Sequence, residues 1–340
     1  MGLDVGAIAL ALGVLMVIAY RGLPVIVFAP VCALLAVALS GGPLLPTYTE
    51  PFMTGAAEYI RSFFPIFLLG AVFGKLIETS GAAGTIAAAI VRALGPGRAI
   101  PAVVLACGVL TYGGVSLFVV AFAVYPLGAV LFREAGIPKR LLPGAIALGA
   151  FTFTMDALPG SPQLQNLIPT RYFGTDAYAA PIVGSIGGAM VLVGGLAWLG
   201  YRRARAVAAG EGYGVGHLNE PEPRAEADGP KLVWALLPLV IVLVLNFVLS
   251  RTALSIAHIY SEESLHQQFP QASLKASAAT WSLILALLAG IVATMALNVR
   301  RLRGRLTGSF QLATAGALLA IFNTASEVGF GTVIKTLPGF

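Results

Sequence analysis

The feature that most limits what this chain can fold into is a break at residues 151–170, FTFTMDALPGSPQLQNLIPT, set inside sequence apolar enough for a membrane. Hydrocarbon offers the backbone no hydrogen-bond partner. An interrupted helix at membrane depth therefore persists only where it packs in protein or lines a watery cavity. Asp156 lies in the break, and an ionisable side chain in such a place is costly and points to an ion or substrate pathway. The surroundings follow from composition, since 58% of residues are hydrophobic, 11% are charged and the mean hydropathy is +0.88. Soluble domains carry roughly a quarter charged residues. The chain reads as an all-α polytopic membrane protein.

The formal charge of +6 does not point to nucleic acid, because the basic residues sit in short breaks between apolar runs and form no continuous patch. Cys32 and Cys107 lie far apart in apolar runs and read as packing residues. The first residues lack a basic region or a small-residue cleavage site and read as a retained span.

Long apolar segments fall at 5–20, 22–40, 63–79, 99–132, 141–169, 176–200, 232–250, 277–298 and 308–325. One crossing needs about 20 residues. The stretch 99–132 exceeds one crossing and is too short for two, and Gly113-Gly114 break it at its middle. It is expected to be a re-entrant hairpin with its tip at Thr111–Ser116; the alternative is one long tilted helix with packing glycines. Arg21, Arg92, Arg98, Arg133, Lys139, Arg140, Arg202, Arg203, Arg205 and the run Arg300–Arg305 all occupy short connections that the positive-inside rule places in the cytoplasm. One topology satisfies them, with the N-terminus outside and the hairpin returning to the cytoplasm before the broken span 141–169. A polar linker, 202–231, has the composition of a flexible cytoplasmic loop.

Residues 1–201 then form a first membrane repeat and 232–340 a second. Ser62-Phe63 recurs as Ser309-Phe310, Thr79 matches Ser326, and Gly84-Thr85-Ile86 matches Gly331-Thr332-Val333. Because the two matched spans run in opposite directions, the repeat is expected to be inverted, an architecture of secondary transporters. On this reading the second repeat is expected to be incomplete, since the sequence runs only a few residues beyond its matching Val333. A full one would continue past Phe340, and the chain alone is expected to be unstable or inactive.

The residues of the break carry their own chemistry. Ser161-Pro162 is a helix-start pair, so a helix is expected to restart there and offer unpaired N–H groups and partial positive charge to an anionic carboxylate. Ser116, following Gly113 and Gly114, would head a second such N-terminus. Thr111, Gly113, Gly114, Ser116, Gly160, Ser161, Gln163 and Asn166 are the candidate substrate-binding residues. The amides serve either ligand hydroxyls or helix-to-helix hydrogen bonds. Asp156 is the candidate proton carrier, since burial would bring it into proton exchange near neutral pH; a backbone cap is the alternative. Asn323, Ser326 and Glu327 are candidates for a second half-site. Lys75 and Glu78, one turn apart, read as a structural pair. His258 and His266 have no third ligand nearby, and neither a metal site nor a cofactor is expected.

The block from Thr111 to Thr170, with FGTDAYAAPIVG after it, resembles the gluconate permease family of proton-coupled organic-anion symporters, within the ion transporter superfamily. Gly113-Gly114-Val115-Ser116 and Pro159-Gly160-Ser161-Pro162 carry the resemblance most specifically. It implies two inverted halves, each with a re-entrant hairpin and an interrupted helix, of which the second pair is absent here. Gluconate-assigned members tend to have His-Pro-Gly-Pro where this chain has Leu158-Pro159-Gly160-Ser161-Pro162, which leaves other hydroxy- and short-chain carboxylates open. The function expected is therefore proton symport of a small organic anion through the inner (plasma) membrane. An uncoupled channel, a cation-coupled carboxylate transporter and an inactive fragment are the alternatives. The expected partners are the anion, protons and the lipid bilayer, with homo-oligomerisation left open. No Walker loop, His-Glu-x-x-His or Gly-x-Ser-x-Gly with a membrane His appears, so neither an ATP-driven pump nor an intramembrane enzyme is indicated.

Overall fold

A computed structural model describes residues 2–215, 220, 229–252, 256–259, 261–269 and 274–340. The described residues are helical, with no strand among them. Two compact units divide the chain: Met1–Leu68 with Thr314–Phe340, and Leu69–Ala313. These units cut across the two sequence halves.

In the first unit, α1 (Gly2–Tyr20) and α2 (Val25–Leu39) pack on one another. A short α3 (Leu44–Thr47) and a π turn (Tyr48–Phe52) lead into α4 (Met53–Thr79). The core here gathers Ala11, Cys32, Ala36, Phe52, Phe330 and Val333. Small residues allow this contact. A side chain added at Gly55 would strike Thr332, and one at Gly329 would come within 2.9 Å of the Phe52 carbonyl. In lipid, where apolar burial offers little drive between helices, such close backbone approach carries the packing.

The second unit is built around α6 (Ala99–Tyr112), whose Ala102, Val103, Val104, Ala106, Cys107 and Leu110 are all buried. It is preceded by α5 (Ala82–Leu94), from which it is bent by 103° across the Gly95–Arg98 turn. The apolar spans of the sequence do not include α5, because its small-residue run AAGTIAAAI is amphipathic. After α6 come α7 (Leu117–Glu134), α8 (Leu142–Ala150), the single-turn α9 (Phe153–Asp156), α10 (Leu164–Phe173) and the long α11 (Pro181–Ala208). α6 packs on α5, α7 and α8. Gly149 of α8 sits so close to α6 that a Cβ there would overlap the Val104 carbonyl.

Beyond the linker, α12 (Leu232–Arg251) is followed by short α13 (Ile256–Ile259) and α14 (Glu262–Gln268), then α15 (Leu274–Leu297) and short α16 (Val299–Leu302). α12 and α15 pair closely, with Gly290 against Val242 and Phe73. The last helix is α17 (Leu306–Thr336). At its start in the second unit, Ser309 Oγ lies 3.0 Å from Thr79 Oγ1, at the end of α4.

Among the described residues, five helical segments are long and apolar enough to cross a membrane: 44–79, 181–208, 232–251, 277–297 and 306–336. A sixth is formed if the bent pair α5 and α6 counts as one. The stretch 99–132 is two helices, α6 and α7, broken at Gly113–Ser116, so a single long tilted helix is excluded. Gly114 makes the turn with φ +90°, a conformation side chains disfavour. Of the linker expected over 202–231, α11 occupies the first residues, and positions 216–219 and 221–228 lie outside the described residues. Its described part is fastened to the α7–α8 connection, where Arg140 makes a two-bonded pair with Glu211 at 2.6 and 2.7 Å and Glu220 pairs with Lys139 and Arg133.

Candidate functional site

The chain between α8 and α10 is open because three local choices prevent one continuous helix. Thr152 turns its hydroxyl back to the Leu148 carbonyl (2.7 Å), and Thr154 does the same to Gly149 (2.7 Å). Hydroxyls bonded this way compete with the helical ladder and bend it. Gly160 then adopts φ +76°, with its N–H on the Ala177 carbonyl at 2.7 Å.

The helix does not restart at Ser161-Pro162 as the sequence pair suggests. α10 begins at Leu164 with Gln163 as its N-cap residue, and no side chain caps it. The reason is competition: the buried Ser161 hydroxyl donates to the Thr154 carbonyl at 2.6 Å, which stitches the break shut instead of capping the next helix. Residues 161–163 are left as a non-helical strap.

That strap meets the tip between α6 and α7. Gln163 Nε2 donates to the Thr111 carbonyl at 2.7 Å and to the Val115 carbonyl at 3.3 Å. The Tyr112 hydroxyl donates to the Pro159 carbonyl at 2.7 Å. A Cβ on Gly114 would lie 3.4 Å from Pro162 and 3.6 Å from both Phe73 and Val242, while Gly113 has Leu239 against it. Ser116 is the N-cap residue of α7, again without a side-chain cap. Gly74 of α4 lies against it, with room for a Cβ only 3.2 Å from the Ser116 nitrogen. The uncapped N-termini of α7 and α10 therefore stand at one place, each presenting first-turn N–H groups that a helix cannot pair internally.

Thr111, Gly113, Gly114, Ser116, Gly160, Ser161, Gln163 and Asn166 are thus brought together, but the amides act on backbone. Asn166 Nδ2 donates to the carbonyls of Ser161 (3.0 Å) and Ala177 (2.8 Å), so both amide donors hold the turns in shape. Thr111 is fully buried and its hydroxyl has no partner.

Asp156 differs from the expectation of burial. It sits at the end of α9 with its side chain exposed and no hydrogen bond or ion pair among the described residues. The single turn of α9 rotates it outward, while Phe153, Thr154 and Met155 take the buried positions.

Asn323, Ser326 and Glu327 lie on α17, in the first unit, and do not form a broken-helix site. Asn323 Oδ1 accepts the Ile26 N–H at 3.2 Å, near the start of α2, Ser326 bonds back to the Phe322 carbonyl at 2.9 Å, and Glu327 is exposed. Lys75 and Glu78 form the expected pair at 2.9 Å. Among the described residues no three His, Cys, Asp or Glu gather as a metal-ligand set, and the side chains of His258 and His266 are outside the described set.

Several residues at the site lie outside the candidate set read from the sequence. Asp176 accepts the Tyr178 N–H at 2.7 Å, a local turn that Asp side chains favour. Arg251, closing α12, bonds both Asp176 (3.0 Å) and the Tyr178 carbonyl (3.0 Å). Ala180 is held at φ +47°, uncommon for a residue with a side chain. Together they set the Tyr178 ring against Gly160. α11 covers the Ala157 carbonyl at Gly184 and the Leu158 and Phe153 side chains at Gly188.

A family model described as GntP family permease matches residues 1–333. The chain is 48% identical over 345 residues to an uncharacterized transporter, YxjC, of Bacillus subtilis (strain 168), a match covering 98% of this chain and 73% of the relative. No solved structure matches. With nearly its whole length matched by the family model and nearly half its residues shared with that relative, the chain belongs to the GntP family of permeases and is a multi-pass membrane transporter.

Proposed function

We propose that the chain is a secondary active transporter that carries a small carboxylate across the inner membrane together with protons. One observation supports this most: two uncapped helix N-termini, those of α7 and α10, are locked side by side through Gln163 and the Gly114–Pro162 contact. Each contributes partial positive charge and open N–H donors, and a carboxylate is the small group that satisfies both where water is scarce. In this reading Asp156, an unpaired carboxyl within the break at the end of α9, takes and releases the coupled proton.

The test is uptake of a labelled panel of short-chain carboxylates into proteoliposomes, with and without an inward proton gradient. The gradient should drive accumulation of at least one member. Asp156→Asn should abolish gradient-driven accumulation and leave counterflow exchange of the same anion intact. Accumulation by the Asn variant at the wild-type rate removes Asp156 from the coupling role. Uptake that ignores the gradient altogether favours an uncoupled pathway.

A further inference from the structure

Asn246 lies on α12, in the sequence half beyond the linker, and is 1% exposed. Neither its Nδ2 nor its Oδ1 has a hydrogen-bond partner. Among the described residues it alone leaves both an amide donor and an amide acceptor buried and unpaired. Leaving such groups unpaired in a protein interior is costly, so its retention calls for a partner that comes and goes.

Its surroundings say where that partner binds. Leu239, Val242 and Asn246 share one buried face of α12 at spacings of three and four residues. Leu239 rests on Gly113 and Val242 on Gly114, so this face lies on the tip between α6 and α7. The next residue, Phe247, meets the Tyr178 ring edge-on at 5.5 Å, and Tyr178 covers Gly160. The Tyr178 hydroxyl lies beside Asn246 without direct hydrogen-bonding geometry. Asn246 thus stands beside both glycine turns.

Resting on the carboxylate-transport reading above, we propose that Asn246 is the specificity-determining residue of the site and reads a carboxylate that bears a neighbouring hydroxyl. An amide matches that ligand in full: Nδ2 donates to a carboxylate oxygen while Oδ1 accepts from the hydroxyl. The N-termini of α7 and α10 supply donors only and cannot recognise a hydroxyl hydrogen. A site built to bond a substrate hydroxyl discriminates strongly against the analogue that lacks it, because its own polar groups are then left unpaired.

The experiment measures initial uptake in proteoliposomes for matched pairs, 2-hydroxybutanoate with butanoate and 2-hydroxypropanoate with propanoate. It compares the whole protein with Asn246→Leu and Asn246→Ser, each checked for a monodisperse detergent-solubilised peak. Wild type should favour the hydroxylated member by at least tenfold. Asn246→Leu, nearly the same size and apolar, should bring the ratio close to one mainly by loss of hydroxy-acid uptake; Asn246→Ser, which keeps a small polar group, should retain an intermediate ratio and decides the matter if the Leu variant does not fold. A wild-type ratio of one, or a variant ratio equal to wild type, overturns the role of Asn246 and leaves the transport reading standing. No uptake of any carboxylate by the wild type overturns the transport reading itself and this proposal with it.

Discussion

The tip-and-break region around residues 111–166 and the stretch 323–327 of α17 carry the same kinds of residue, Ser, Thr, Asn and an acidic side chain, yet they do different things. In α17 the helix is continuous, and Thr324 and Ser326 bond back to carbonyls one turn earlier at 3.1 and 2.9 Å. Their hydroxyls satisfy the helix they belong to and free nothing. In the break, Ser161 and Gln163 reach carbonyls that are seven and about fifty positions away in sequence, and two helix N-termini are left without caps. The contrast lies in backbone geometry. Gly114 and Gly160 adopt positive φ and open the ladder, whereas Gly316 and Gly331 in α17 stay helical with open space around them. Polar residues become a binding constellation only where the backbone has first been opened.

The largest test of that contrast sets one glycine against another. Gly160→Val forces a β-branched residue into the left-handed region, at about 1–3 kcal/mol, and drives its Cβ into the Tyr178 ring. Gly316→Ala meets nothing within 4 Å and should be neutral or stabilising, by about 0.5–1 kcal/mol. Thermal midpoints in detergent should fall sharply for the first, with loss of uptake, and hold or rise for the second. Wild-type stability and uptake in Gly160→Val would dissolve the distinction between the two regions.

A smaller effect separates the side chains. Gln163→Leu leaves the Thr111 and Val115 carbonyls without their donor, at about 1–3 kcal/mol for unsatisfied buried groups. Uptake should suffer more than stability, because the tip and the strap would no longer hold the two N-termini together. Ser326→Ala removes only a back-bond and should leave both measurements near wild type. Equal losses in the two variants would mean that the amide is a general packing group and not the clasp of the site.

How much of this was legible in the sequence divides along the same line. The apolar runs, the break at 151–170 and the interruption at Gly113-Gly114 follow from hydropathy and glycine placement, and the structure has helix ends at each. The restart at Ser161 misled, because a Ser-Pro pair signals a cap only if the hydroxyl is not claimed elsewhere, and Thr154 claims it through a contact seven residues back. The exposure of Asp156 depends on the rotation of a single helical turn, which no local pattern sets. α5 escaped notice because alanine is weakly apolar and its helix is amphipathic. Tyr178, Arg251 and the α12 face that carries Asn246 are brought to the site by contacts over 18 to 128 positions in sequence, for which one chain carries no signal.

The smallest effect belongs to polar groups in contact with water, at the connection between α7 and α8. Glu211 is held below the usual carboxylate range by its hydrogen bonds from Arg140, and Glu220 by those from Lys139 and Tyr213. Because the folded-state carboxyls ionise more readily than unfolded ones, the pairs contribute fully above the unfolded value near 4.5 and fade as pH falls through the lower folded values. Attachment of residues 209–215 should therefore be constant from pH 8 to pH 5 and weaken only in stronger acid. Exposed pairs of this kind add little to stability and are screened by salt, so Glu211→Gln should leave the thermal midpoint and uptake unchanged. What it should raise is amide hydrogen exchange across 209–215 at pH 7, and 1 M salt should do the same to the wild type. A large drop in uptake with Glu211→Gln would show that this surface connection controls the buried turns, and that the division between opened backbone and mere polar contact is too simple.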